Sequence, residues 1–248
     1  MIPMSTLRVV TVIGVLFLFL LLQQFPGRVV VVLLPSTVQL EGVTGTLWQG
    51  TAARAAVIVE GKRFVLGQLS WHLEPLSLLS LRPSINISSV WGNQRFDGRV
   101  AAGLGGSASL EDVSLELDVR FLRNLMPLYV GGQIQITLDQ ARVDDGHLTA
   151  VDARVIWQDA VWAARQGDVA LGNYALDVSG SDGAIKGSVI TLSGPLVVAG
   201  ELALEGRDWQ VDLDVSGPAV ANEGLRPSLM LFGVPTDNGF DVVLDGQL

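Results

Sequence analysis

The chain has 248 residues, 28 of them Gly, no Cys and a formal charge of −9. Without cysteine it has no disulfides and no thiolate metal sites, and the acidic balance argues against nucleic acid and against a polybasic membrane patch. The length suits one large domain or two small ones, and Val, Leu, Gly, Asp and Ser outweigh helix formers beyond the N terminus, which is the balance of short strands joined by tight turns.

The first element is Val9–Leu22, VVTVIGVLFLFLLL, with no charge and 12 of 14 residues Val, Ile, Leu or Phe. On an insertion scale these favour the bilayer by roughly 5 kcal/mol. The run is short of the ~20 residues of a spanning helix. Extended from about Met4 to Phe25, it spans with Arg8, Gln23 and Gln24 at the headgroups. Arg8 and an acid-free Met1–Leu7 favour the N terminus inside. A cleaved signal peptide is the rival reading, but the following QQFPGRVV has no small-x-small cleavage site. The predicted layout is an inside tail (1–7), one transmembrane helix (8–25) and an exported β-rich body (26–248).

Pro26-Gly27 breaks the helix. Val29–Leu34 is then read as a strand, because four successive valines are β-branched. In Thr51–Glu60, Ala53, Ala55, Val57 and Val59 share a face; in Arg63–Leu73, Val65, Leu69, Trp71 and Leu73 do. The period changes at EPLSLLSL. Pro75 suits a first helical turn, and the helix over about 75–82 carries an apolar stripe of Leu76 and Leu79 that closes one end of a β layer.

Strands are expected at Ser84–Val90, Phe96–Ala102, Val113–Phe121 and Gln133–Leu138, with a short helix over about 121–128. Asp144-Asp145-Gly146 is a hairpin signal. Val151–Trp157 and Val161–Ala164 read as two strands. A meander follows at Asn173–Ser179, Ala184–Leu192, Leu196–Glu205, Trp209–Ser216 and Gly239–Leu248. It is interrupted by one amphipathic helix, 219–232, with Leu225, Leu229 and Phe232 toward the sheet. The expected fold is therefore mainly β: an antiparallel, curved, sandwich-like sheet with a few short helices. GTLWQGTA (Gly45–Ala52) and RVIWQDAV (Arg154–Val161) echo one another and allow two similar halves, about 29–150 and 151–248, although one echo is not a repeat.

Chemistry is sparse. His72 lies on the polar face of a strand and His147 follows a turn; neither has a nucleophile or an orienting partner in the pattern. No histidine pair has zinc spacing. Asp139, Asp144 and Asp145 lack the regular spacing of calcium ligands. Asp212 and Asp214 are wet-face residues of one strand. The tryptophans, Trp48, Trp71, Trp91, Trp157, Trp162 and Trp209, read as core anchors whose indole N–H groups need carbonyl partners; the alternative reading has one or two of them lining a partner or ligand groove. No catalytic, cofactor-binding or metal site is assigned.

GVTGTLWQGTA (Gly42–Ala52), LSWHLEPLSLL (Leu69–Leu79), LGNYALDVSGSDG (Leu171–Gly183), LSGPLVVAGELALEGRDWQVDLDV (Leu192–Val215) and LRPSLMLFGVPTDNGFDVVLDGQL (Leu225–Leu248) resemble the type II secretion system protein N family. Gly45, Thr46, Leu47, Trp48, Gln49 and Gly50, followed by Trp71, Leu73 and Pro75, carry the most specific part of the likeness and are the candidate interaction residues. The resemblance implies a single-pass inner-membrane protein of a Gram-negative bacterium with its bulk in the periplasm. It implies an accessory, non-enzymatic part of the machinery that exports folded proteins, with other secretion components as partners and no catalytic residues to carry over. Edge strands without Lys, poorly protected unless covered, add the expectation that the domain binds a partner, by strand addition at a sheet edge or the Gly42–Gly50 loops, or self-associates. The strand-then-short-helix plan also resembles AsmA-type architecture, so a periplasmic lipid-binding module is the alternative. A hydrolase built around His72 or His147 is the third reading.

Overall fold

The computed structural model describes residues 25–59, 61–103, 105–120, 130–164 and 167–247. Except for Phe25, the predicted anchor (8–25) lies outside them, as does the predicted helix at 121–128. Among the described residues no helix is long and apolar enough to cross a membrane. The chain divides into two compact units, one ending at Trp91 and the other starting at Gly92.

The first unit holds a short helix, α1 (Arg28–Leu33), and four strands: β1 (Val38–Gly45), β2 (Gln49–Val59), β3 (Lys62–Leu73) and β4 (Ser84–Trp91). Each pairs antiparallel with the next. The expected strand at Val29–Leu34 is instead α1. Its turn closes on itself through Val30 N–H to Gly27 O and Leu34 N–H to Val30 O. A valine costs a helix only ~0.5 kcal/mol relative to the best formers, so local closure outweighs β-branching here.

The expected faces of β2 and β3 are also shifted. Ala52, Ala55 and Ala56 are buried, whereas Ala53 is exposed. The register slips between Ala52, Ala55 and Ala56 opposite Gly67. Gly67 has φ +79°, a left-handed geometry that a side chain resists. This bulge inverts the alternation midway, so Phe64 and Trp71, seven residues apart, are both buried. Period-two reading across a bulge assigns half of the strand to the wrong face.

The second unit is a longer antiparallel meander: β5 (Gln94–Ala102), β6 (Ala108–Asp118), β7 (Val130–Asp144), β8 (His147–Ala164), β9 (Gly167–Ser181), β10 (Ala184–Ser193), β11 (Val197–Glu205), β12 (Asp208–Ser216), then helix α2 (Arg226–Phe232), β13 (Val234–Pro235) and β14 (Gly239–Gln247). Spatial order follows chain order except that β14 inserts between β12 and β13. Among the described residues, the strands of each unit form one sheet and not two facing ones, so the sandwich-like expectation is corrected while the antiparallel β expectation holds. The Asp145-Gly146 turn joins β7 to β8 as read from sequence.

Val151–Trp157 and Val161–Ala164 prove to be one strand, β8. Asp159 takes φ +49° and makes a bulge, and its N–H donates to the Asn173 side chain at 2.7 Å. The strand bends without breaking. The helix expected over 219–232 is two pieces, a 3-10 turn (Pro218–Ala221) and α2. Asn222 ends the first piece, and its Oδ1 accepts the Gly224 N–H at 2.8 Å. Leu225 is buried and Leu229 packs on the core as expected, but Phe232 is exposed.

The main core of this unit collects Leu171, Tyr174, Leu196, Val215, Leu225 and Phe240 beneath these helical pieces. Phe240, fully buried, alone contributes roughly 1.5–3 kcal/mol of apolar transfer. A second cluster, Ala141, Val151 and Ile185, lies between β7, β8 and β10.

Candidate functional site

The nine residues of the sequence motif converge at one end of the first unit. Gly45 and Gly50 face each other across the β1–β2 hairpin, and Thr46–Trp48 form its turn. Thr46 N–H donates to Gln49 O at 2.8 Å, and Gln49 N–H donates to Thr46 Oγ1 at 3.2 Å. Gly45, at φ +93°, makes room for that turn; a Cβ there would lie 2.6 Å from Gln49 O.

The hairpin end is tied on both sides. Gly27 N–H donates to Gly45 O at 3.0 Å, and Leu47 N–H donates to Phe25 O at 2.9 Å. Pro26 bridges Thr46. On the other flank, Leu73 N–H donates to Trp48 O at 2.6 Å. The Trp71 indole N–H donates to Leu47 O at 3.2 Å. The Trp71 ring covers Gly50: a Cβ on Gly50 would lie 2.8 Å from Trp71 Cη2 and 2.6 Å from Thr44 O. The motif is thus a joint that fastens Phe25–Gly27 to strands β1, β2 and β3.

The helix expected over about 75–82 is instead a single 3-10 turn, Pro75–Leu78, which Pro75 opens after Glu74. The connector back to β4 is fixed by polar bonds at its base. Glu74 accepts Ser84 Oγ–H at 3.0 Å and Asn86 Nδ2–H at 3.1 Å. Ser77 Oγ donates to Glu74 O and accepts the Ser84 N–H at 2.9 Å. Because Ser77 points inward, Leu76 and Leu79, three apart and on the same edge of such a turn, point outward. They are 78% and 82% exposed, and Leu81 is 61% exposed. The expected apolar stripe therefore does not close a β layer; it faces out. The Glu74 clamp carried no sequence signal, since its partners lie ten and twelve residues away.

The other candidates remain apart. His72 is exposed on β3 opposite Asn86. His147 is exposed, with Nδ1 3.1 Å from Asp145 O, as part of the hairpin turn. Asp144 Oδ2 accepts Thr149 Oγ1–H at 2.7 Å. Among the described residues no group of three or more His, Asp or Glu could hold a metal ion. Asp212 and Asp214 lie on the exposed face of β12.

The two Trp-Gln pairs sit differently: Trp48 precedes β2, whereas Trp157 lies within β8. Trp157 donates its indole N–H to Gly131 O at 3.1 Å, as a core anchor should. Beside it lies an apolar groove of about 270 Å³, lined by Ile134, Val155, Trp157, Tyr174, Val189 and Val198 among others. Tyr174 Oη donates to Leu196 O at 2.9 Å, and burial pushes its phenol up to about 12.

Comparison with known proteins gives a consistent result. Residues 36–243 match the family model for type II secretion system (T2SS), protein N. The type II secretion system protein N of Aeromonas hydrophila is 31% identical over 201 residues, covering 77% of this chain and 77% of that protein. Its counterpart in Vibrio cholerae serotype O1 is 31% identical over 168 residues, covering 65% of this chain and 63% of that protein. No solved structure matches. The family model spans both β units and takes in the Gly45–Gly50 joint, and so the chain belongs to the type II secretion system protein N family.

Proposed function

We propose that this chain is a non-catalytic accessory component of type II secretion. Val9–Leu22 holds it in the inner membrane with residues 1–7 in the cytoplasm, and the β-rich body works in the periplasm by contact with other secretion components. The observation that carries this reading is the family match over 36–243. The motif supports it, because its residues build a joint at the end of a sheet and not a cleft with reactive groups. Deleting the gene in its host tests the reading: export should fail, with folded exoproteins accumulating in the periplasm, and the chain supplied in trans should restore it. Unimpaired export in the deletion strain overturns it.

A second reading, a lipid-binding module, is favoured by the apolar groove beside Trp157. Its 270 Å³ falls just below the ~300–1,000 Å³ of ordinary ligand pockets and suits part of an acyl chain. Native mass spectrometry of the protein released from nanodiscs discriminates the two: a lipid retained stoichiometrically, and lost when Val189 is replaced by Trp, favours this reading, and a bare mass opposes it.

A further inference from the structure

We propose that the leucine connector between β3 and β4 is a second membrane contact, dipping into the outer leaflet of the same bilayer that receives Val9–Leu22. The inference rests on the anchored reading above and adds a surface to it.

Three observations carry it. The first is position. The chain enters the described structure at Phe25, three residues after the apolar run ends. Phe25 O is bonded to Leu47, Trp48 O is bonded to Leu73, and Leu73 leads into Pro75. This relay of short bonds puts the connector at the same end of the first unit as the membrane entry point. The separation is about two to three strand spacings of ~4.8 Å.

The second is chemistry. Leu76, Leu78, Leu79 and Leu81 are all exposed, on a turn whose base is fixed by Glu74, Ser77, Ser84 and Asn86. A loop held this rigidly does not fold its leucines back under the sheet. Exposed apolar groups clustered in this way mark an interaction surface. Arg82, exposed and next to Leu81 in the chain, is placed for a lipid phosphate.

The third is charge. Residues 26–91 hold five Arg and Lys against three Glu, a balance of +2. Residues 92–248 hold ten Arg and Lys against 22 Asp and Glu, a balance of −12. An anionic leaflet attracts the first unit and repels the second.

The absence of native cysteine makes the test direct. The full chain, one copy per nanodisc with anionic lipid, carries a bimane label at Leu76→Cys, at Leu79→Cys, or at Lys62→Cys in the turn at the opposite end of β3. Lipids with a nitroxide near the headgroup should quench the labels at 76 and 79 severalfold more than the label at 62. Aqueous iodide should show the reverse order. If iodide reaches 76 and 79 as freely as 62 while carbonate washing leaves the chain in the membrane, anchoring stands and this inference falls. Labels shielded from both quenchers mean that protein covers the loop, which also overturns it. Release of the chain by carbonate overturns the anchored reading and this contact together.

Discussion

Replacing Gly50 by Ala tests whether the motif is a joint. Gly50 is a regular strand residue and not a left-handed one, so the added methyl costs nothing in backbone strain and acts only through space. It would lie 2.6 Å from Thr44 O and 2.8 Å from Trp71 Cη2. Thr44 O belongs to the paired backbone of β1, and the Trp71 ring is only 4% exposed, so neither yields freely. Overpacking of this kind costs about 1–3 kcal/mol. Moving the ring also breaks its bond to Leu47 O, worth about 1 kcal/mol net. The joint should therefore weaken by about 2–4 kcal/mol, which is a roughly 30- to 700-fold rise in local opening. Amide hydrogen exchange reads this directly at Thr46, Leu47 and Leu73, whose N–H groups make the joint's bonds. Gly61→Ala is the control: that glycine has φ +76° and open space around it, so it should cost about 1 kcal/mol without changing exchange at the joint. Exchange at all three amides within threefold of the parent chain would refute the steric account of Gly50.

Glu74→Ala removes the charged acceptor of Ser84 and Asn86 and should destabilise the β3–β4 connector by about 2–3 kcal/mol, seen as faster exchange over 74–86. Tyr174 has a folded pKa of about 12 against 10 in an unfolded chain, so the folded state holds the proton longer. Its contribution is present in full below pH 10 and is lost at roughly 1.4 kcal/mol per pH unit as the pH rises toward 12. Tyr174→Phe should remove that slope from denaturant titrations at pH 9.5–12 while costing about 1 kcal/mol at pH 8. Asp214 lies directly opposite Asp241 on exposed neighbouring strands. Asp214→Asn should stabilise by about 0.2–1 kcal/mol at low salt, and the gain should fade as salt is added.

The strands were legible because most alternate cleanly. Trp209, Val211, Leu213 and Val215 read as one face and lie on one face. Reading failed where a single residue changes the phase. Gly67 and Asp159 each introduce a bulge, one inverting the face of β3 and the other joining what looked like two strands. A bulge depends on which partner residue lies opposite, and that is set by tertiary pairing, not by local pattern. The leucines after Pro75 failed for a related reason. Their spacing announces a common face but not its direction, which is decided by the bonds of Ser77 and Glu74. The joint itself was legible as residues, Gly45–Gly50 with Trp71 and Leu73, but not as geometry. Its third component, Phe25–Gly27, sits in a stretch that reads only as a helix breaker.

The placement of exposed backbone bears on how such a body meets its neighbours. Sheet edges low in lysine suggest partner binding by strand addition. On the β1 side, Gly45 O already accepts Gly27 N–H, and α1 packs alongside the strand. In the second unit the last strand in spatial order, β13, is two residues long and ends on Pro235, which has no N–H to donate. The β1 edge is thus blunted, but β13 covers only Phe240 and Asp241 of β14, and among the described residues Val242–Gln247 have no strand beyond them. Next to β13, however, Met230, Leu231, Phe232 and Val234 are all exposed. Side-chain docking on α2 therefore stands against strand addition at the open edge of β14 as the mode of contact in the second unit. Leu231→Glu, on a helix face with no packing role, should leave the thermal transition within about 0.5 kcal/mol of the parent. If this surface is the docking site, the same variant abolishes export in the deletion strain. Full export with Leu231→Glu, set against failure with a variant that alters only the open edge of β14, would assign the contact to strand addition.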